Sequence, residues 1–242
     1  MAPRLRSLPD VLVLGAGGTL GIAWLHGLLA GIEEAGDLDL RRCEYFVGTS
    51  AGSYVGAYLA AGKRPAVPER LADVAAEAPP EGEAEFAPGS LRRAGRLAAA
   101  VTAPVVPLAL RASRPGGAAA RAALLRVSRR PEGRDLDLGP YIQQLGAFDG
   151  RLRVATVDRS NGKRVMFGSP RAPAATVAEA VLASCSVPWL FPPVEIDGRE
   201  YVDGGVWSMS NLDAAPAGRG SEVLALLPTF GRGGRGPAAL LP

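Results

Sequence analysis

The stretch Tyr45-Phe46-Val47-Gly48-Thr49-Ser50-Ala51-Gly52 passes from three apolar residues into a serine held between two glycines. A short apolar run, a glycine-flanked turn and then Tyr54 to Ala61 at helical spacing reads as strand, tight turn, helix. Gly62 and Pro65 stop that helix. The same plan stands upstream. Val11-Leu12-Val13-Leu14 is continuously apolar, as in a parallel strand buried on both faces. Gly15 to Gly21 is a glycine-rich loop. Ile22, Leu25, Leu28, Leu29 and Ile32 then recur on one helical face, with Gly36 as the stop. Two successive strand–loop–helix units predict a parallel sheet with helices packed on it.

Downstream, Leu152 to Asp158 and Arg164 to Phe167 are strand-like and flank Asn161-Gly162, a hairpin turn signal. Thr176-Val177-Ala178-Glu179 is a capping box opening a helix to about Ser184. Val194 to Ile196 and Arg199 to Val202 flank a second hairpin turn, Asp197-Gly198. Asp203-Gly204-Gly205 follows at once, and Glu222 to Leu227 reads as a last buried strand. Residues 1–242 read as a single domain. Its stretch at about 63–145, rich in Arg and Pro, is a helical insertion or cap with no strand of the main sheet.

Charge is unevenly spread although the net value is only +3. Ten arginines (92, 93, 96, 111, 114, 121, 126, 129, 130 and 134) lie between Leu91 and Arg134 against one acid, Glu132. With the apolar run Leu97 to Leu110, this 91–134 segment offers a surface for peripheral contact with an anionic membrane. The alternatives are a solvated insertion and a buried cap helix. Few aromatics are interleaved, which argues against nucleic acid. The 14 residues of that run include Pro104 and Pro107, too short and too broken to span a bilayer. No signal peptide is evident, so the expected location is cytoplasmic, with membrane association through that segment. The two cysteines, Cys43 and Cys185, read as buried free thiols with no chemical role.

The chemistry centres on Ser50. A serine in a sharp strand-to-helix turn presents its hydroxyl, and Gly48 and Gly52 remove side chains that would clash there. The helix behind it aims a positive end and free amides at the reacting atoms. The one histidine, His26, sits inside the first helix, where a structural role is expected. A Ser-His-Asp triad is therefore disfavoured, and a carboxylate must act as base. Asp203 is the best candidate, since it ends a strand and precedes two glycines at the edge where α/β sites form. Its alternative is a plain turn aspartate, like Asp197. The loop Gly15-Ala16-Gly17-Gly18-Thr19-Leu20-Gly21 has the setting of a dinucleotide fingerprint, but Leu20 stands where that pattern needs Gly or Ala. Its amides, with that of Ala51, can instead hold an oxyanion, each donor contributing roughly 3 kcal/mol to the barrier.

Together these elements resemble the patatin-like phospholipases, a group of Ser-Asp dyad lipid acyl hydrolases. The matching pieces are Gly17-Gly18-Thr19-Leu20-Gly21, Gly48-Thr49-Ser50-Ala51-Gly52 and Asp203-Gly204-Gly205. The run Ala183-Ser184-Cys185-Ser186-Val187-Pro188 through Pro193 is also similar. The resemblance implies a three-layer α/β/α fold with a mostly parallel central sheet, hydrolysis of a lipid or acyl ester, no metal and no cofactor. It implies Ser50 as nucleophile, Asp203 as base, and Gly17, Gly18, Thr19 and Ala51 as the oxyanion hole. Where the family loop often carries an arginine, this chain has Leu20, so the resemblance does not extend to a phosphate contact there. Acyl transfer or thioester cleavage by the same dyad is a second reading. A non-catalytic nucleotide-binding or scaffold protein is a third.

Overall fold

The computed structural model describes residues 7–65, 117–128, 138 and 142–229. Seven strands form one sheet: β1 (Val11–Leu14), β2 (Tyr45–Thr49), β3 (Leu152–Asp158), β4 (Arg164–Phe167), β5 (Val194–Ile196), β6 (Arg199–Asp203) and β7 (Val223–Leu226). Four α-helices are described: α1 (Gly18–Gly36), α2 (Ala51–Ala60), α3 (Ala118–Val127) and α4 (Val177–Cys185). The order is β5-β6-β3-β2-β1-β7, with β4 also on β3. Strands β7, β1, β2 and β3 run parallel, whereas β4, β5 and β6 join antiparallel.

Helices cover both faces, giving three layers. Strand residues alternate faces. Leu12, Leu14, Phe46, Leu152 and Val154 pack with Leu25 and Leu29 of α1, Val55 and Leu59 of α2, and Val177 and Val181 of α4. On the other face, Val157 and Val202 meet Leu125 of α3. Burying each such Leu or Val stabilises the fold by about 1.5–3 kcal/mol.

The register of β3 positions the site. Val154 and Ala155 pair with β2 and with β4, while Thr156 and Val157 pair with β6 and with β4. A strand has two edges, and β4 occupies one of them along this whole stretch. β2 and β6 therefore share the other edge end to end. Thr49 lies opposite Ala155, and Asp203 opposite the next residue, Thr156. β2 runs parallel to β3 and β6 antiparallel, so their C-terminal ends meet head-on.

Several local expectations need correction. α1 starts at Gly18 rather than Ile22, because the glycine loop itself closes the first turn, Gly21 N–H donating to Gly17 O at 2.9 Å. It runs through Gly36, and Asp37 takes the left-handed stop at φ 50°. α2 starts at Ala51, directly behind Ser50, three residues before Tyr54. The β3–β4 hairpin is present, but its turn is wider than Asn161-Gly162: Asp158 N–H donates to Lys163 O, and only Gly162 is left-handed. The Asp158 carboxylate holds this turn by accepting from the Ser160 amide and the Asn161 side chain. β7 is not buried. It is an edge strand on β1 alone, and Val223 is 39% exposed.

Of the ten clustered arginines, only Arg121 and Arg126 lie among the described residues. Arg121 faces inward rather than toward solvent, its guanidinium 4.0 Å over the Trp207 ring and its Nε donating to Gly162 O. Beyond residues 117–128, the 91–134 segment and the membrane contact expected of it lie outside the described residues, as does most of the insertion. Among the described residues, no helix is long and apolar enough to cross a membrane.

Candidate active site

Ser50 stands at the turn from β2 into α2 with φ 52° and ψ −120°. For a residue with a Cβ this costs roughly 1–3 kcal/mol, which the surroundings must offset. Gly48 and Gly52 allow it. A Cβ on Gly52 would lie 2.0 Å from the Leu14 carbonyl oxygen, and one on Gly48 would lie 2.4 Å from Ser53 Cα. α2 can rest this closely on the sheet only without those side chains.

Hydrogen bonds then lock the turn. The Ser50 amide donates to Ser184 Oγ at 2.9 Å, and that hydroxyl donates to Ala155 O at 2.7 Å. Ser53 Oγ donates to Ser50 O at 2.6 Å. Asn211 Nδ2 donates to Thr49 Oγ1 at 3.0 Å, tying the end of β2 to the loop after Asp203.

Asp203 ends β6 with extended backbone and is 4% exposed. Its amide donates to Ser186 O at 3.0 Å. Its carboxylate accepts the Gly205 amide at 2.6 Å, and the Ser50 side chain beside it favours its ionised form. Burial pushes the carboxyl up to about 6, and the Gly205 amide and the Ser50 side chain oppose the rise. At pH 7 the group is largely ionised, and it is a far stronger base than a solvated aspartate.

The glycine loop adjoins this pair. A Cβ on Gly21 would lie 3.5 Å from that of Ala51, so the first turns of α1 and α2 sit side by side. Gly18 is left-handed at φ 62° and opens α1. The first amides of each helix have no intrahelical acceptor. Those of Gly18, Thr19 and Ala51 are in this class, and both helix dipoles favour negative charge at their N-termini.

His26 is elsewhere. It is buried between α1 and α2, its ring edge-on to Tyr54 and Tyr58. Burial lowers it to about 4, so it is neutral at pH 7.

A family model described as patatin-like phospholipase matches residues 12–216. The chain belongs to the patatin-like phospholipase family. The match spans β1 through the loop after β6, and so covers the glycine loop, Ser50 and Asp203. Among solved structures, the crystal structure of VipD from Legionella pneumophila is 17% identical with a TM-score of 0.45. That alignment covers 93% of this chain and 50% of VipD, so this chain spans half the length of that one. No curated protein matches.

Three residues of this patatin-like domain matter more than their sequence suggests. Ser184 holds Ser50, and Ser186 holds Asp203. Between them, Cys185 is a free thiol as expected, but it stands closer to Ser50 than its apolar neighbours suggest. It is half-buried, with the side chains of Ser50 and Ser53 beside it. Burial, with the Asp203 charge beside it, pushes the thiol up to about 12, so it stays protonated. Cys43, by contrast, is a buried thiol as expected. The available signal was Ser184-Cys185-Ser186, polar residues closing an apolar helix. Asn211 carries no such signal, since Ser-Met-Ser-Asn reads as an ordinary loop.

Proposed function

We propose that this patatin-like phospholipase hydrolyses carboxylic esters of lipids through a dyad of Ser50 and Asp203. The observation that carries the reading is the register of β2 and β6 on β3, which brings the ends of the two strands, and so Ser50 and the buried Asp203, together. Asp203 takes the Oγ proton as Ser50 Oγ bonds to the ester carbonyl carbon, and the carbonyl oxygen becomes an oxyanion. The amides of Gly17, Gly18, Thr19 and Ala51 receive that charge. The carbonyl re-forms, the alcohol leaves with the proton from Asp203, and the acyl group stays on Ser50. Water then gives a proton to Asp203 and attacks the acyl carbon. Ser50 leaves, recovering the proton, and the fatty acid is released. Raising Asp203 to about 6 suits this exchange, because a base works best with its pKa near the working pH.

The test is a panel of acyl esters of graded chain length, with a fluorophosphonate probe alongside. The expected result is turnover and covalent labelling that both vanish in Ser50→Ala. Labelling at another residue, or turnover that persists in Ser50→Ala, would overturn the dyad. Adding alcohol or amine acceptors and measuring acyl transfer against hydrolysis distinguishes transfer by the same two residues.

A further inference from the structure

A cavity of about 430 Å³ opens beside the β5–β6 turn, lined by Arg126, Arg159, Ser160, Gly198, Arg199 and Glu200. Its volume lies within the roughly 300–1,000 Å³ of small-ligand sites. The three arginines come from three elements: the last turn of α3, the β3–β4 turn and the start of β6.

Arg159 is held in place. Its Nε donates to Leu125 O, another guanidinium nitrogen donates to Ser128 O, and it pairs with Glu200. Arg199 pairs with Asp158 at 3.1 Å, but its side chain is 61% exposed. Arg126 is exposed and donates to Ser160 O, a neutral acceptor, at 3.0 Å. Two carboxylates thus offset two of the three guanidinium charges, which leaves one net positive charge among the described residues. Each guanidinium has five N–H donors. Arg126 and Arg199 each spend one in the bonds described, and both keep donors for an anion.

We propose that this cavity binds a phosphate group, at a site separate from the Ser50–Asp203 centre. The guanidinium fork matches phosphate oxygens in pairs, and such charge-assisted bonds are roughly twice as strong as neutral ones. A carboxylate offers two oxygens in one plane. A phosphate offers oxygens around a tetrahedron, which arginines from three elements can engage together. Arg199 begins β6 and Asp203 ends it, four residues on, so the two sites lie roughly 13 Å apart at 3.3 Å per residue. A phosphate held there does not touch the reacting atoms. It is a holding point for a lipid headgroup or a soluble phosphate ester.

The test needs no ester cleavage, so it stands or falls apart from the dyad. The full chain is titrated with inorganic phosphate and glycerol phosphate by calorimetry. It is also floated with phosphatidylcholine vesicles with and without phosphatidic acid. Wild type and Ser50→Ala bind alike, and binding weakens as salt rises. In Arg126→Gln/Arg199→Gln, binding falls at least tenfold while thermal melting stays within about 2 °C. Saturable phosphate binding alone assigns the site to a soluble ester, and phosphatidic-acid-dependent flotation assigns it to a headgroup. Should the double variant misfold, Arg126→Gln alone carries the test, since that side chain is exposed and holds no ion pair among the described residues. No saturable binding of either probe, or binding unchanged in the arginine variants, overturns the proposal.

Discussion

Two aspartate–glycine pairs bracket β6, Asp197-Gly198 before it and Asp203-Gly204 after it. As dipeptides they are identical. In the fold they differ in every physical respect. Asp197 and Gly198 are exposed, both left-handed at φ 50° and 70°, and make the two-residue turn of the β5–β6 hairpin. Asp203 and Gly204 are buried. Asp203 ends a strand, accepts from the Gly205 amide, and is held against Thr156 of β3 with the Ser50 side chain beside it. The first pair is defined by local backbone geometry, the second by neighbours from distant parts of the chain.

The contrast can be broken by substitution. The largest effect is on activity: Asp203→Asn lowers ester turnover by roughly 10²–10⁴-fold, while Asp197→Asn leaves kcat/KM unchanged. In wild type the same base gives kcat/KM an acid limb near pH 6, falling tenfold per pH unit below it. A limb near pH 4 would mean that a solvated carboxylate is the base.

The second effect is on stability and runs the opposite way. Asp203 titrates near 6 in the folded chain and at an ordinary 3.8 when unfolded. The folded state therefore binds the proton more tightly, and stability falls as pH rises from about 4 to about 6. Asp203→Asn removes that loss and makes the protein more stable at pH 7 by up to about 3 kcal/mol, with no gain below pH 4. Chemical denaturation at the two pH values reads this directly.

The third effect is steric. A Cβ on Gly204 would lie 2.3 Å from the Ala155 carbonyl oxygen, so Gly204→Ala pushes β6 off β3 and costs roughly 1–3 kcal/mol. The smallest is Gly198→Ala. Nothing lies within 4 Å of that Cβ, and only the left-handed backbone opposes it, at about 1 kcal/mol. If Gly198→Ala proves as damaging as Gly204→Ala, close packing is not what separates the two turns.

Much of the site was legible in the chain. Ser50 between Gly48 and Gly52 marked the turn, and the strand–loop–helix repeats marked the parallel part of the sheet. The Thr176 capping box is present as read, with Glu179 bonded back to Thr176. Other features were not legible. The exposure of β7 depends on which strand it pairs with, not on its apolar residues. The inward turn of Arg121 depends on Trp207, far along the chain. The contacts of Cys185 with Ser50 and Ser53 depend on where α4 docks.

The sequence by itself determined the local elements: the Ser50 turn, the Asp197-Gly198 hairpin, the caps and the helical faces. These follow from backbone preferences and apolar spacing over a few residues. Only the tertiary structure decided that β2 and β6 meet head-on along one edge of β3. That junction brings Asp203 to Ser50, buries its carboxyl and raises it to about 6. Desolvation and strand register arise between segments distant in the chain, and no short stretch of residues encodes them.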